Sequence, residues 1–453
     1  MMIVVESEGV DRVAISQRPG DPGHFSSGFH ASFGTALTTR SARDLLRVGQ
    51  AAFLADRSFR RGDRLGQRTR SLAVTVPVEE PDRWGELADL VARVTGFVSQ
   101  DHWRFAFTAL PPEAAGGEQR AAPVEDASVH LFSDGLDSLC GAAAALRGPS
   151  TPVFVSHSPP GRERVRQRIR ELGESLGTSD RTPHFAVFSF TASARDEHGM
   201  RTLYPERSRR TRPFLYLTMA GAVALELHAS RVLLNENGVL AVNLPFRTGI
   251  TGPQISRHAH PEALRRFEAL LRGLAPDRRI TVDNPFSEVT KGEAASGLGG
   301  AAALAPDTVS CEYGRQQVAR INGWLRERGR TDPGIRQCGL CFPCLVRRTA
   351  MHHARIEEPD ALYAFDARRT WMGTEPNPDA PLYAQLAENV RELEAFGTRL
   401  LAMRPSEFVS TYLPELSLLP AAGEESGASV RRVHDLYRRF AREVTAYLRG
   451  GDA

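Results

Sequence analysis

The sequence predicts an α/β protein: a parallel sheet with helices on both faces (residues 126–355), preceded by an α+β domain (1–125) and followed by a helical extension (356–453). Three observations lead there. In the middle stretch, short apolar runs alternate with segments of helical spacing, the pattern of right-handed βαβ units around a sheet buried on both faces. Before it, period-two alternation marks strands, with one stretch of helical spacing at 41–54 among them. Beyond about residue 360, apolar residues recur only at helical spacing.

Taken in order, 2–6 is a β-rich start, and 41–54 carries Leu45, Leu46, Val48, Ala52 and Phe53 at helical intervals. Residues 72–78 alternate as a strand, and 102–110 place Trp103, Phe105 and Phe107 on one face. The Pro-, Gly-, Ala- and Glu-rich segment 111–123 is expected to be a linker. No motif with chemistry occurs in this part. The parallel strands are expected at 129–132, 153–156, 185–190 and 232–234, and the helices at 137–146, 163–176, 213–228 and 260–271. Ligands of such sheets bind at the carboxyl ends of the strands. In the tail, 382–396 and 433–448 carry helical stripes and 423–429 reads as a loop; no internal repeat is visible.

Fifty-seven Lys+Arg against 54 Asp+Glu leave a net charge of +3, which disfavours a dedicated nucleic-acid scaffold. The first residues lack the basic and apolar regions of a secretory signal. No run approaches the ~18 apolar residues of a membrane span, and the most apolar helix, 214–227, is interrupted by Glu226. A soluble cytoplasmic protein is expected. Lys291 is the sole lysine; arginine fills every other Lys/Arg position. Arginine is a fork that keeps its proton, so the one point-charge cation draws attention.

The sharpest signal is Val129-His130-Leu131-Phe132-Ser133-Asp134-Gly135-Leu136-Asp137-Ser138, a buried strand turning into an Ala-rich helix. Ser133 and Ser138 supply hydroxyls, Gly135 permits close backbone approach, and the helix start presents unpaired N–H groups. Together these make an anion site. Asp137 is a good helix starter and, beside a triphosphate, a ligand for Mg²⁺. A capped helix after a strand is the plain alternative. The Gly-Lys-Ser/Thr ending of the Walker loop is absent, which disfavours a P-loop NTPase.

Cys311, Cys338, Cys341 and Cys344 are spaced C-x26-C-x2-C-x2-C. Two overlapping tight turns bring three thiolates onto one ion, and Cys311 returns as the fourth ligand, the closed tetrahedral pattern of structural Zn²⁺. Four thiolates also hold iron–sulfur clusters, which leaves that alternative open. Cys140, on the apolar face of the helix after the phosphate loop, reads as a core residue.

Ser133-Asp134-Gly135-Leu136-Asp137-Ser138 resembles the SGGxDS "PP-loop" of the ATP pyrophosphatases, with Asp134 where that family has its first Gly. Combined with Ser310-Cys311-Glu312-Tyr313 and Cys338-Gly339-x-Cys341-x-x-Cys344-Leu345-x-Arg347-Arg348, the chain is similar over about 128–350 to 7-cyano-7-deazaguanine synthase (QueC). Asn284-Pro285-Phe286-Ser287-Glu288-Val289-Thr290-Lys291 falls where that family has "PL..LTK", so Lys291 lands on the family lysine. The long gap between Cys311 and Cys338 implies an inserted helix over 316–326. Val153 to His157, the arginines from Arg207 to Arg212, and Asn235-Glu236-Asn237-Gly238 stand at other family positions, although a strand end, a solvated basic face and a plain Asn-Gly turn explain them equally well. The layout, with Leu72 to Trp84 and Asp101 to Phe107 ahead of the core, looks like the QueC-like components of bacterial antiphage systems of the Qat type.

The resemblance implies an adenine nucleotide alpha hydrolase-like fold and an ATP-dependent ligase that adenylates 7-carboxy-7-deazaguanine, or a related 7-deazapurine acid, releasing pyrophosphate. Ser133, Asp134, Gly135, Leu136, Asp137 and Ser138 would hold ATP, Asp137 would bind Mg²⁺, Lys291 would offset developing charge, and the four cysteines would hold Zn²⁺. The acyl group would pass to ammonia or to an amine of a protein partner from the same defence system. A nucleotide-binding component without turnover, and an RNA- or DNA-modifying relative resting on Arg207 to Arg212, are the other readings.

Overall fold

The computed structural model describes residues 2–7, 11–17, 21, 23–62, 69–110, 124–157, 162–178, 183–194, 206, 208–246, 257, 259–329, 334–380, 382–419 and 426–451. The first part of the chain contributes strands β1 (Met2–Ser7), β2 (Asp11–Ser16), β3 (Gly23–Ala31), β4 (Ser71–Val78) and β5 (His102–Ala109). Helices α1 (Arg40–Ser58) and α2 (Pro81–Ser99) lie among them. The middle part contributes β6 (Ala127–Leu131), β7 (Thr151–His157), β8 (His184–Ala194), β9 (Arg231–Leu233) and β10 (Thr281–Asp283). All ten strands form one mostly parallel sheet, ordered β10-β9-β6-β7-β8-β3-β2-β1-β4-β5. The protein is thus of the α/β class.

Across residue 125 the sheet is continuous. Strand β3 pairs antiparallel with β8 from Gly23 opposite Ala194 to Ala31 opposite Ala186. One apolar cluster runs from Ile3 and Val5 through Leu45, Trp84 and Phe214 to Phe267 and Val282. The expected linker, 111–123, lies outside the described residues.

Between the parallel strands run α3 (Leu136–Arg147), α4 (Arg162–Leu176), α5 (Arg212–Leu227), α6 (Gly238–Val242) and α7 (Pro261–Leu274). Helices α1, α2, α5 and α7 bury their stripes on one face of the sheet. On the other face α3 and α4 pack on Phe132, Phe154 and Phe185 with the 3-10 segment Gly299–Asp307. Helix α5 is buried nearly all round beyond Arg212, so its single buried charge needs partners. Glu226 finds them in Thr38 and Thr39, whose amides donate at 2.9 Å and whose hydroxyls also donate. Among the described residues no helix is long and apolar enough to cross a membrane.

Downstream lie α8 (Lys291–Ser296), α9 (Gly314–Glu327), α10 (Phe342–His353), α11 (Ala367–Met372), α12 (Tyr383–Ala402), α13 (Pro405–Thr411), α14 (Leu413–Leu416) and α15 (Ser426–Arg449). Helix α9 occupies the place of the expected insertion. The segment expected as a loop at 423–429 is partly helical instead: from Ser426 it is the start of α15, whose apolar stripe carries on into Val433, Leu436 and Phe440. Helices α9 to α15 and the cysteines share a second apolar cluster, whereas α8 packs in the cluster of α3 and α4.

Candidate functional site

The chain runs outward through β6, β7 and β8, then returns to the other side of β6 for β9 and β10. Neighbouring crossovers therefore diverge between β6 and β9, and their carboxyl ends leave the crevice in which open α/β sheets bind ligands. The phosphate loop leaves β6 at this point. Ser133 and Asp134 are exposed, and Gly135 and Ser138 are half-buried. Among the described residues, no side chain plugs the turn.

Within the loop Ser133 Oγ lies 2.8 Å from Ser138 Oγ. The Ser133 amide donates to Ser138 Oγ at 3.1 Å, and the Gly135 amide to Ser133 Oγ at 3.3 Å. The two serines thus tie the strand exit to the first turn of α3. Gly135 occupies the cap position with extended backbone, and no side chain caps the helix. Leu136 is buried and anchors the first turn. An uncapped helix start beside two hydroxyls is suited to an anion.

Asp137 faces inward. Its carboxylate forms an ion pair with the Lys291 ammonium, and Asn237 Nδ2 donates to its Oδ1 at 3.3 Å. Asn237 also donates to Glu236 at 3.1 Å and caps α6 by accepting from the Leu240 amide. Asn284 joins the two neighbouring loops, donating to the Glu236 carbonyl at 2.7 Å and accepting from the Glu236 amide at 3.2 Å. Four segments, from the ends of β6, β9 and β10 and the start of α8, therefore meet on one buried charge cluster. Gly238 is required here, because a Cβ would lie 2.2 Å from the Ser287 carbonyl oxygen. Burial, reinforced by Glu236 and opposed by Lys291, pushes the Asp137 carboxyl up to about 6. Burial would lower Lys291, but Asp137 and Glu236 together hold it above its ordinary range.

Lys291 opens α8, whose start is fixed by a capping box between Thr290 and Glu293. The Thr290 hydroxyl also donates to Glu443, reaching across from α15. Burial pushes the Glu443 carboxyl up to about 8. The sequence holds no motif for this contact; its one trace is a carboxylate in the otherwise apolar stripe between Phe440 and Tyr447.

The four cysteine sulfurs lie within 4.8 Å of one another, with Cys338 to Cys344 at 3.9 Å and Cys341 to Cys311 at 4.0 Å. Sulfurs bonded at ~2.3 Å around one tetrahedral ion stand ~3.8 Å apart. An iron–sulfur cluster inserts several atoms among its ligands and needs wider spacing. The set could therefore hold a metal ion such as zinc. Amides point at the sulfurs, Cys341 N to Cys338 Sγ at 3.2 Å and Cys338 N to Cys311 Sγ at 3.4 Å. Gly339 turns with φ +88°, and a Cβ there would lie 2.1 Å from the Phe365 carbonyl oxygen.

This centre is tied to the phosphate loop. Two residues before Cys311, the Val309 amide donates to the Asp134 carbonyl at 2.9 Å. Ser310 N donates to Gln337 Oε1 at 3.0 Å, beside Cys338. Fully buried Arg347 binds the Ala305 carbonyl at 2.7 Å, Glu358 at 2.6 Å and the Thr308 hydroxyl. The sulfur centre and Arg347 together hold the strap 308–311 against the loop.

Other predicted positions fall differently. His157, half-buried at the end of β7, packs on Tyr216 with ring centroids 5.7 Å apart. Arg207 lies outside the described residues, whereas Arg210 turns inward and donates to the Ser99 carbonyl at 3.3 Å. Cys140 is a buried core thiol. A cavity of about 500 Å³ lined by Arg348, His352, Asp366, Arg368, Met372 and Tyr447 among others shares no residue with the loop or the Lys291 cluster. The helix start beside it, α11, is already capped by Asp366. No protein-family model matches the chain, and no curated protein matches its sequence.

Removing one member of a buried ion pair costs about 3–5 kcal/mol. Asp137→Ala and Lys291→Ala should each lower unfolding stability by about that much in urea titrations, and the double variant by clearly less than their sum. Chelation of bound zinc should release about one ion per chain and raise amide exchange over 133–139 more than over β1 or β4; equal exchange in both places would break the link through Val309. Because Glu443 is raised, the folded state holds its proton more tightly than the unfolded state. Wild type should therefore lose stability relative to Glu443→Gln as pH rises from about 4.5 to about 8, at up to roughly 1.4 kcal/mol per unit in thermal melts.

Proposed function

We propose that the protein is an ATP-dependent, adenylate-forming enzyme of the 7-cyano-7-deazaguanine synthase type, serving a bacterial antiphage system. The observation that carries this reading is the uncapped Ser133–Ser138 turn at the switch point of the sheet, with the only lysine of the chain at the same crevice. ATP phosphates would lie on the helix-start amides and the two serine hydroxyls. A substrate carboxylate oxygen would attack the α-phosphorus; the bond from that phosphorus to the bridging oxygen would break, and pyrophosphate would leave. An amine would then displace AMP from the acyl carbon and lose its proton to solvent.

The chain's own work in this scheme is orientation and electrostatics. Serine hydroxyls and amides fix the phosphate tail, and Lys291 offsets charge that grows on phosphate oxygens. Asp137 is the candidate Mg²⁺ ligand; turning to a metal would release Lys291 toward the phosphates. Zn²⁺ would be structural, since four sulfurs leave no open position.

A second reading, a nucleotide-binding assembly component without turnover, is favoured by two observations. Asp134 adds an anion to the loop, and Lys291 is already neutralised by Asp137. Mass spectrometry of products from ATP, Mg²⁺, 7-carboxy-7-deazaguanine and an amine separates the two. The proposal expects AMP, pyrophosphate and an acyl product from wild type, with at least a hundredfold less from Asp137→Ala. ATP binding without AMP formation, unchanged in Asp134→Gly, would establish the second reading.

A further inference from the structure

Helix α15 carries its arginines differently from the other surface helices. On α7 every arginine has a carboxylate one turn away: Arg265 and Arg266 pair with Glu262, and Arg272 pairs with Glu268. On α15, Arg432 and Arg439 reach across to Glu288 and Glu293. Arg431, Arg438, Arg442 and Arg449 make no ion pair among the described residues. They stand at intervals of seven, four and seven residues. At 3.6 residues per turn that puts all four within about 40° of one another, in a stripe roughly 27 Å long.

The stripe faces solvent. Arg431, Arg442 and Arg449 are exposed and Arg438 is half-buried. Asp435 is the only exposed acid on the helix, and it pairs with none of the four. Arg438 Nε is shut off from solvent and donates to no acceptor. Like charges one turn apart, as at Arg438 and Arg442, destabilise a helix, and the molecule supplies no counter-ion. The other face is fully used. Val433, Leu436, Phe440 and Val444 lie in the apolar core, and Tyr437 donates to the Val239 carbonyl and accepts from the Leu244 amide, both at 2.8 Å. The helix is therefore fixed in orientation and has no apolar face left to insert into a membrane.

A straight, rigid row of cations fits a partner whose anions are already set in a row. Duplex nucleic acid carries a charge every ~1.7 Å along its axis, and an arginine fork can place two donors on one phosphate. Single strands are gripped largely by stacking bases on aromatic side chains. This stripe offers none, because Tyr437 and Tyr447 are buried. A-form RNA closes its major groove to a deep, narrow slot, whereas the ~12 Å groove of B-DNA matches the ~10–12 Å width of a helix with its side chains. The chain's net charge of +3 disfavours polyanion binding over the whole surface; here the excess is confined to one stripe.

We propose that Arg431, Arg438, Arg442 and Arg449 form a docking stripe for the phosphate backbone of duplex DNA. Backbone contacts of this kind position a protein on the duplex without reading its sequence. The stripe lies outside the Ser133 and Lys291 crevice and does not depend on the adenylation proposed there.

The experiment is fluorescence anisotropy of a labelled DNA duplex of about two helical turns, titrated with the full chain at salt from ~50 to ~200 mM. With about 0.9 counterion released per phosphate, four contacts give a slope near −3.6 in log affinity against log salt, a loss of about 150-fold over that range. Arg431→Gln/Arg442→Gln/Arg449→Gln removes three exposed charges and breaks no internal ion pair. Its slope should flatten to about −0.9, a loss of about 3- to 4-fold. Arg265→Gln/Arg272→Gln on α7 should leave slope and affinity unchanged. No binding by wild type at the lower salt, or an unchanged slope in the triple variant, overturns the stripe. So does equal weakening by the α7 variant, which marks the binding as bulk charge. Equal or tighter binding of an RNA duplex, a single strand or polyglutamate overturns the assignment to duplex DNA.

Discussion

A lysine ammonium cannot sit buried in this sheet without a carboxylate beside it, and that requirement organises the middle of the molecule. Lys291 is 4% exposed and paired with Asp137. To supply that partner, and the second carboxylate at Glu236, the chain must bring together the ends of β6, β9 and β10, which lie more than 150 residues apart from first to last. An ion left unpaired there costs several kcal/mol, against a total stability of about 5–15 kcal/mol for a typical domain. The convergence is therefore enforced and not incidental. It also puts the phosphate loop, the Asn237 turn and the lysine at a place where the sheet's connectivity opens a crevice.

Around that cluster the remaining parts act as braces. The sulfur centre and Arg347 hold the strap that accompanies the loop, and α15 holds the lysine's helix through Glu443 and Thr290. The C-terminal helices are thus built into the candidate site. The N-terminal strands act differently: they lengthen the sheet from β8 and share its core, but supply no side chain to the cluster.

What could be read in the sequence was what is local. The turn at Ser133–Ser138 is contiguous, so the strand, the hydroxyls and the helix start announce themselves together. Three of the four cysteines fall within seven residues, and the fourth is named by its chemistry. The strands at 129–132 and 153–156 and the helices around them appear within a few residues of expectation because both their faces are apolar. Helix α2 was not among the expected elements, although Trp84, Leu87, Val91, Val94 and Val98 carry its apolar stripe. The pairing of β3 with β8 is different in kind. Gly23–Ala31 is rich in Ser, Gly and His, and nothing local points to a partner more than 150 residues away. The three-residue β10 is too short for any period, and the Glu443–Thr290 contact joins two residues whose neighbourhoods give no hint of each other.

A crystal structure with a non-hydrolysable ATP analogue and Mg²⁺, with the zinc absorption edge used to locate the metal, tests the central claim most directly. Phosphate density is expected on the amides and hydroxyls of Ser133, Gly135 and Ser138, with Lys291 Nζ drawn toward it and an anomalous peak among Cys311, Cys338, Cys341 and Cys344. Nucleotide bound elsewhere on the chain, with the turn empty and Lys291 still closed on Asp137, would contradict it.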